Sequence, residues 1–232
     1  MNVTFSNNKH IGIATTFSEL TNTDFEGETN ALCWYRNLQG DFKEVVSKLQ
    51  LKENITVVTP KDLLALQLSE QGNRAREIIL SDLQLLTDFG AAPVLNLLKC
   101  YERDEDFDFI TTDVYSYHVD RSPIATDTFL CTYHGAASDI IANEQAQQKI
   151  LVPKIREQLQ ALHDGPEAEF EDFLKENYFD LHYQAQPNAT PINLGVGHLW
   201  RLAVDHPTQK VPPCIHRAPV EMDGEYRLLL IC

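Results

Sequence analysis

The chain has 232 residues, 43% of them hydrophobic, which suits a single domain, or a domain with a helical annex, around a sizeable core. Its formal net charge is −15 at pH 7 and its isoelectric point is about 4.8. Proteins that bind nucleic acids or anionic membranes need a basic surface, so this charge argues against both kinds of partner.

The N-terminal region carries Asn7, Asn8, Lys9 and His10 where a secretory signal peptide would have an apolar core. No apolar run approaches the length of a membrane span. The cysteines are odd in number, widely spaced, and include no C-x-x-C pair; they are Cys33, Cys100, Cys131, Cys214 and Cys232. We therefore expect reduced thiols and a cytoplasmic protein.

Residues 1–30 are polar and are expected to be loosely ordered. The segment 31–108 is predicted to be mainly helical, after a short apolar strand at 31–36. Asp41 is predicted to cap a helix that runs to about Leu51.

A β-branched stretch at 56–59 predicts a strand, and Pro60 is expected to start the next helix. Apolar residues at helical spacing over 78–89 indicate a further helix, which Gly90 would end. The stretch 91–100 is compatible with either a helix or a strand.

The second half has a different character. Alternating β-branched and aromatic residues predict strands at 109–118 and 126–134, and 139–143 is a third candidate. Residues 144–187 are predicted to form a helical insert, which Gly165 and Pro166 break in two.

Strands are expected again within 188–232, at 191–204 and 226–232. Together with 109–143, this region would form a β core. The predicted fold class is α+β: a helical N-terminal half packed on a jelly-roll, or cupin-like, double-stranded β-helix with a helical insert. A doubly wound sheet fits poorly, because strands and helices do not alternate and no Gly-rich phosphate loop is present.

The sequence Tyr-His-Val-Asp places His118 and Asp120 two residues apart, so on a strand both side chains would point to one face. If His216 joins them, two imidazoles and a carboxylate would hold one side of a metal ion and leave the other side open. This ligand set suits Fe(II), and Zn or Mn would also be acceptable. The alternative is structural: His118 is a hydrogen-bonded histidine at a strand end, and Asp120 begins the Asp-Arg-Ser-Pro turn.

Arg227 lies on an otherwise apolar final strand, on the same face as Leu229 and Ile231. A guanidinium that points into a barrel needs an anion, and a carboxylate is its natural bidentate partner. The alternative is an outward Arg227 that pairs with Glu225 or Asp223.

Three further residues are candidates for supporting contacts or for alternative ligands, namely His134, His198 and Cys214. Both histidines also have a structural interpretation. Cys214 and His216 form a Cys-x-His pair of a kind that zinc accepts.

The order His118-x-Asp120, then His216, then Arg227 resembles the Fe(II)- and 2-oxoglutarate-dependent oxygenase superfamily. The resemblance covers about residues 109–232 and is limited to these motifs. It implies Fe(II) held by the first three residues and 2-oxoglutarate held at its distal carboxylate by Arg227. It also implies hydroxylation of a substrate that it does not identify.

Most of the chain also resembles an uncharacterised bacterial family classed as a domain of unknown function. The shared segments are Cys-Trp-Tyr-Arg (33–36), His-Val-Asp (118–120), Leu-Cys-Thr-Tyr-His-Gly (130–135), His-Arg-Ala-Pro (216–219) and Arg-Leu-Leu-Leu (227–230). Family members often have His-Arg-Ser-Pro at the fourth segment and Gly-Pro-Gly-Thr in the third, where this chain continues Gly-Ala-Ala-Ser. The family's association with zinc-homeostasis genes implies a metal but no reaction.

Three functional hypotheses follow. The first is an Fe(II)/2-oxoglutarate-dependent oxygenase acting on a small molecule or a protein. The second is a non-catalytic, cupin-like metal-binding protein of zinc homeostasis, in which His134 or Cys214 would join the ligands. The third is an interaction protein that binds no metal.

Overall fold

The chain folds around two β-sheets, in a computed structural model that describes residues 8–222 and 224–232. The larger sheet has seven strands, in the spatial order β1 (Ile11–Ala14), β2 (Ala31–Trp34), β11 (Leu199–Ala203), β6 (Asp127–His134), β13 (Arg227–Ile231), β4 (Val94–Leu98) and β3 (Ile55–Val58). Neighbouring strands are antiparallel except for β1 and β2, which are parallel.

The smaller sheet has six strands, all paired antiparallel. Their spatial order is β10 (Ile192–Asn193), β7 (Asp139–Ile141), β12 (Ile215–Arg217), β5 (Tyr117–His118), β9 (His182–Ala185) and β8 (Ala146–Gln148). The strands on either side of β5 come from distant parts of the chain.

Over residues 8–222 and 224–232, six α-helices accompany the sheets: α1 (Phe17–Asn22), α2 (Phe42–Lys48), α3 (Pro60–Leu64), α4 (Glu70–Phe89), α5 (Pro153–Leu162) and α6 (Phe170–Glu176). Their ends follow local sequence signals. Asp41 caps α2, Thr59 and Asp62 form a capping box at α3, and Gly90 ends α4 with a φ of 97°. No helix in the described part of the chain is both long enough and apolar enough to cross a membrane.

The two faces of the larger sheet have different partners. Alternate residues of β13 show this: Leu228 and Leu230 pack with Val45 of α2 and Ile79 of α4, whereas Leu229 packs in the cluster that reaches the smaller sheet. The period of two along a strand separates these faces. The first four helices therefore cover one side of the larger sheet, and the smaller sheet lies against the other.

The predicted class, mixed α+β, is confirmed. The strand at 31–36, the helix after Asp41, the strand at 56–59 and the helix from Pro60 all appear within a few residues of the predicted bounds. The helix predicted over 78–89 ends before Gly90 as expected but begins earlier, at Glu70, where Ser69 caps it. The ambiguous stretch 91–100 forms the strand β4, which pairs with both β3 and β13.

Two local predictions were wrong. Residues 11–14 form a strand and 17–22 a helix inside the segment that was expected to be loosely ordered, because β1 pairs with β2 and Leu20 is fully buried. The first seven residues lie outside the described residues. Only Tyr117 and His118 are strand within 109–118, since the Asp113 carboxylate accepts hydrogen bonds from nearby backbone N–H groups and forms a turn instead.

The segment 144–187 contains the helices α5 and α6, as predicted, but also the strands β8 and β9. The strand β9 pairs with β5, beside the candidate metal ligands. The predicted insert therefore completes the sheet that carries the site.

Candidate functional site

Three histidines form a row across adjacent strands of the smaller sheet. His216 on β12 lies directly opposite His118 on β5, and His118 lies directly opposite His182 on β9. Directly opposed residues point to the same face of a sheet. The ring centroids are 4.4 Å apart for His118 and His216, and 5.9 Å apart for His118 and His182.

Asp120 follows β5 and completes the cluster. Its Oδ2 lies 3.7 Å from Nε2 of His216. One ligand atom from each of His118, Asp120 and His216 lies within 4.8 Å of the other two. The structure thus brings together the three side chains that the sequence singled out, although they come from two separate regions of the chain.

Backbone carbonyls orient both imidazoles. Nδ1 of His118 lies 2.8 Å from the carbonyl oxygen of Ser116, and Nδ1 of His216 lies 3.2 Å from that of Cys214. A carbonyl only accepts hydrogen bonds, so each Nδ1 carries the proton and each Nε2 keeps a lone pair. This is how metal-binding histidines are usually held.

The carboxylate of Asp120 is held as well. The Thr128 hydroxyl donates a hydrogen bond to Oδ2 of Asp120 at 2.5 Å. Thr128 belongs to β6 of the larger sheet, so this bond ties the cluster to the opposite sheet.

The local electrostatics favour the protonation states that bind metal. Burial, followed by the neighbouring His216, lowers the pKa of His118 to about 4. Burial acts to raise the pKa of Asp120, but His216, the Thr128 hydroxyl and His118 lower it overall. At neutral pH the site therefore presents a neutral His118 imidazole and a carboxylate, the forms a metal ion requires.

A cavity of about 240 Å³ lies between the two sheets and is lined by the three clustered side chains and by Arg227. Arg227 is 3% exposed and shares its face of β13 with Leu229 and Ile231, which also line the cavity. Arg227 is therefore a buried residue in the wall of the cavity that the His/Asp cluster also lines.

Within the described part of the chain, the hydrogen-bond partners of Arg227 are neutral. Its Nη2 donates to the hydroxyls of Thr132 at 3.1 Å and Ser138 at 2.8 Å, and its Nε has no partner among the described residues. Among the described residues no carboxylate forms an ion pair with it. Burial lowers the pKa of Arg227, and the nearby Tyr101 and Glu221 oppose that effect. A buried cation without an anion is a costly arrangement that an acidic ligand would relieve.

The three proposed supporting residues are placed elsewhere or act differently. His134 ends β6 and does not line the cavity. Nδ1 of His198 accepts a hydrogen bond from the backbone N–H of Arg36, and its ring stacks on Tyr35. Cys214 contacts the site through its carbonyl oxygen, which accepts from His216.

The thiol of Cys214 does not join the ligand cluster, so the Cys-x-His zinc pair is not formed. Its side chain is buried in the core between the sheets, and burial raises the pKa of the thiol. A raised pKa disfavours the thiolate that zinc would need.

Sequence reasoning missed His182 and Thr128. His182 is 6% exposed, its Nδ1 has no hydrogen-bond partner among the described residues, and burial lowers its pKa to about 3. The only local signal is the alternation of Leu181, His182 and Tyr183, which lies inside the predicted helical insert. Thr128 carried no signal, because its contact with Asp120 depends on how the sheets pack.

A second group of potential ligands consists of the buried His10 and the exposed Glu28 and Glu144. The ammonium group of Lys9 forms ion pairs with both glutamates, at 3.2 Å from Glu144. This lysine supplies the positive charge that a metal would otherwise bring.

Comparison with known proteins adds no relative, since no family model, curated protein or solved structure matches this chain. The functional argument therefore depends on the geometry of the site.

Proposed function

We propose that the protein is an Fe(II)-dependent oxygenase that uses 2-oxoglutarate and hydroxylates a substrate yet to be identified. The observation that carries the proposal is the shared cavity: the cluster of His118, Asp120 and His216 lines the same cavity as the buried Arg227. A metal-binding face and an anion-binding group side by side are what such a reaction needs.

The three side chains fit a ferrous ion. Two Nε2 lone pairs and one carboxylate oxygen form a facial set of ligands, which leaves positions for other molecules. Iron, when bound there, supplies the activation of oxygen. The chain's contribution is to hold the ligands in place through Ser116, Cys214 and Thr128.

Arg227 is assigned to the distal carboxylate of 2-oxoglutarate. The two hydroxyls occupy both N–H groups of Nη2, so the hydrogen bonds to an anion would come from Nη1 and from Nε, which has no partner among the described residues. Leu98, Leu229 and Ile231 line the same cavity and would exclude water from the pair. A cavity of about 240 Å³ suits a small acid rather than a drug-sized ligand.

The double-stranded β-helix is part of the same proposal. Two largely antiparallel sheets with the candidate site between them support it. The helical half covers the outer face of the larger sheet and leaves the inner face to the cavity.

The test is an anaerobic Fe(II) titration followed by measurement of 2-oxoglutarate consumption under oxygen. We expect one Fe(II) per chain and slow 2-oxoglutarate turnover without substrate, both abolished in His118→Ala and in His216→Ala. His134→Ala, which alters a histidine outside the cavity, is the matched control and should retain both. Iron binding without any 2-oxoglutarate binding or consumption would reject the oxygenase.

A non-catalytic zinc protein is the second candidate, and the row of three imidazoles is the observation that favours it. Imidazole nitrogen suits zinc as well as iron. In that case replacement of Arg227 would leave metal-dependent function intact, whereas the oxygenase loses activity. The effect of replacing Arg227 therefore distinguishes the two candidate functions.

A further inference from the structure

A second cavity of about 240 Å³ touches the same ligand cluster. It is lined by Thr112, Asp113, Arg121 and His182, and it shares His118 and Asp120 with the Arg227 cavity. Arg227 does not line the second cavity, and His182 does not line the first. The cluster is thus bordered by two cavities with different polar groups.

Most polar groups of the second cavity already have partners. Arg121 forms ion pairs with Asp180 and Asp205. The Asp113 carboxylate accepts hydrogen bonds from the backbone N–H groups of Tyr115 and Ser116. These contacts fix the walls of the cavity.

The Thr112 hydroxyl is also engaged, because it donates to Oδ2 of Asp104 at 2.5 Å. His182 differs from these neighbours: it is 94% buried and its Nδ1 has no partner within the described residues. Burial without a hydrogen bond costs free energy that a ligand's polar group would recover.

The charges around the cavity select the kind of ligand. Asp113 and Asp120 line the cavity. Among the described residues that line it, Arg121 is the single cation, and two carboxylates neutralise its charge. A divalent ion at the cluster would offset the charge of Asp120, but Asp113 and the second carboxylate on Arg121 still disfavour an anion, in contrast to the cavity that contains Arg227.

We propose that the second cavity receives the reacting part of the substrate, an uncharged or cationic hydrogen-bonding group such as an amide or an amine, and that His182 binds it. This inference rests on the proposed function, since it places substrate and 2-oxoglutarate in the two cavities that border the metal ligands. His182 is then a substrate-binding residue on the strand next to His118.

Nuclear magnetic resonance of histidine-labelled protein tests the inference, with zinc in place of iron so that no turnover occurs. The probes are acetamide, methylammonium and acetate. We expect acetamide, methylammonium or both to shift the His118 and His182 ring signals saturably, with intermolecular Overhauser effects to the His182 ring. Acetate should give no such effect at His182. The comparison of acetamide with methylammonium distinguishes a neutral from a cationic group.

Variants test the hydrogen bond itself, read from the His118 signals. His182→Leu should weaken probe binding about tenfold, the effect of one lost hydrogen bond. His182→Asn keeps a polar atom close to the position of Nδ1 and should stay within about threefold of the original affinity. His134→Asn is the control outside both cavities.

The outcomes separate the two proposals. Absence of zinc binding by calorimetry would reject the metal centre and with it the proposed function. Zinc binding without any effect of acetamide or methylammonium at His182 would overturn the present inference alone. The same holds if acetate binds at His182 with an affinity equal to that of methylammonium. The Overhauser measurement uses the unaltered chain, so it remains decisive if His182→Leu does not fold.

Discussion

His118 and His216 lie directly opposite each other on the antiparallel strands β5 and β12, with their ring centroids 4.4 Å apart. Each Nδ1 is hydrogen-bonded to a backbone carbonyl two residues earlier in the chain. The strand pairing brings the rings together, and the carbonyls aim the two Nε2 atoms. Burial and the neighbouring His216 lower the pKa of His118 to about 4, which leaves the Nε2 lone pair of His118 for a metal ion at neutral pH.

Loss of one ligand should remove metal binding. For His216→Ala we expect the affinity for Fe(II) or Zn(II) to fall by more than about 100-fold. Loss of a residue that only hydrogen-bonds to a metal ligand typically lowers metal affinity by about 10- to 100-fold. Isothermal calorimetry of the metal-free protein measures it, with His134→Ala as the matched histidine control. Equal affinities for His216→Ala and the unaltered protein would refute the ligand assignment.

Removal of the hydroxyl that holds Asp120 should weaken the metal centre without destroying it. Thr128→Val keeps the shape of the side chain but deletes the 2.5 Å hydrogen bond to Oδ2 of Asp120. We expect a loss of about 10-fold in metal affinity. The control is Thr126→Val, at a residue exposed just before β6 and away from the cluster. If both variants bind metal alike, Thr128 does not orient the carboxylate.

Arg227 should determine the affinity for 2-oxoglutarate and not for the metal. Arg227→Met removes the buried charge, and Arg227→Lys keeps a charge but loses the planar fork. We expect the dissociation constant of 2-oxoglutarate to rise by about 10- to 100-fold in Arg227→Met, the effect of a lost charge-assisted hydrogen bond. Metal affinity should change by less than about threefold. A fall in metal affinity as large as that in 2-oxoglutarate affinity would contradict separate roles.

The metal-free protein should lose stability in mild acid. The folded chain resists protonation of His182, because burial lowers the pKa of this side chain from its ordinary value of about 6.5 to about 3. Between these values the unfolded chain binds the proton and the folded chain does not, so stability falls as the pH falls below about 6.5. The slope is about 1 kcal/mol per pH unit for this residue.

Urea unfolding at pH 7 and pH 5 measures this effect. His182→Asn cannot titrate, so its stability should fall less than that of the unaltered protein over the same interval. His206→Asn replaces a histidine near the surface and should follow the unaltered protein. An identical pH dependence for His182→Asn would show that His182 is not held neutral in the fold.

A buried ion pair should support the fold beneath the sheet. Arg36 and Asp82 form an ion pair at 2.7 Å with side-chain exposures of 8% and 4%, and Tyr133 also donates to Asp82. Arg36→Met would leave Asp82 buried without its cation, at a cost of about 3–5 kcal/mol. The exposed pair of Arg74 and Glu70 is the control, because Arg74→Met should cost less than about 1 kcal/mol. Chemical unfolding compares the two, and similar losses would contradict the difference in burial.

Much of the local structure was predictable because it depends on neighbouring residues. Asp41 and Gly90 mark helix ends through their own hydrogen-bonding capacity and backbone freedom. The alternation along the last strand predicts that Arg227 shares a face with Leu229 and Ile231. In the structure all three residues line one cavity. His118 and Asp120 could be paired because their separation is two residues.

The errors came where contacts with distant segments, or a local side-chain hydrogen bond, override the preference that the residue pattern indicates. Polar composition suggested a loose N-terminal segment, but pairing with β2 orders β1. Asp113 turned a predicted strand into a turn by binding backbone N–H groups. Cys214 was close to His216 in sequence, yet its thiol is packed in the core and only its carbonyl contacts the site.

The residue types and spacings of the chain were thus enough to nominate His118, Asp120, His216 and Arg227. Tertiary structure decided that the first three meet, that Thr128 holds the carboxylate, and that His182 borders a second cavity. The physical reason is that strand adjacency depends on chain topology: β12 and β9 come from distant segments and flank β5 in the smaller sheet. No local pattern encodes which strands become neighbours, whereas the face on which a side chain lies follows from the period of its own strand.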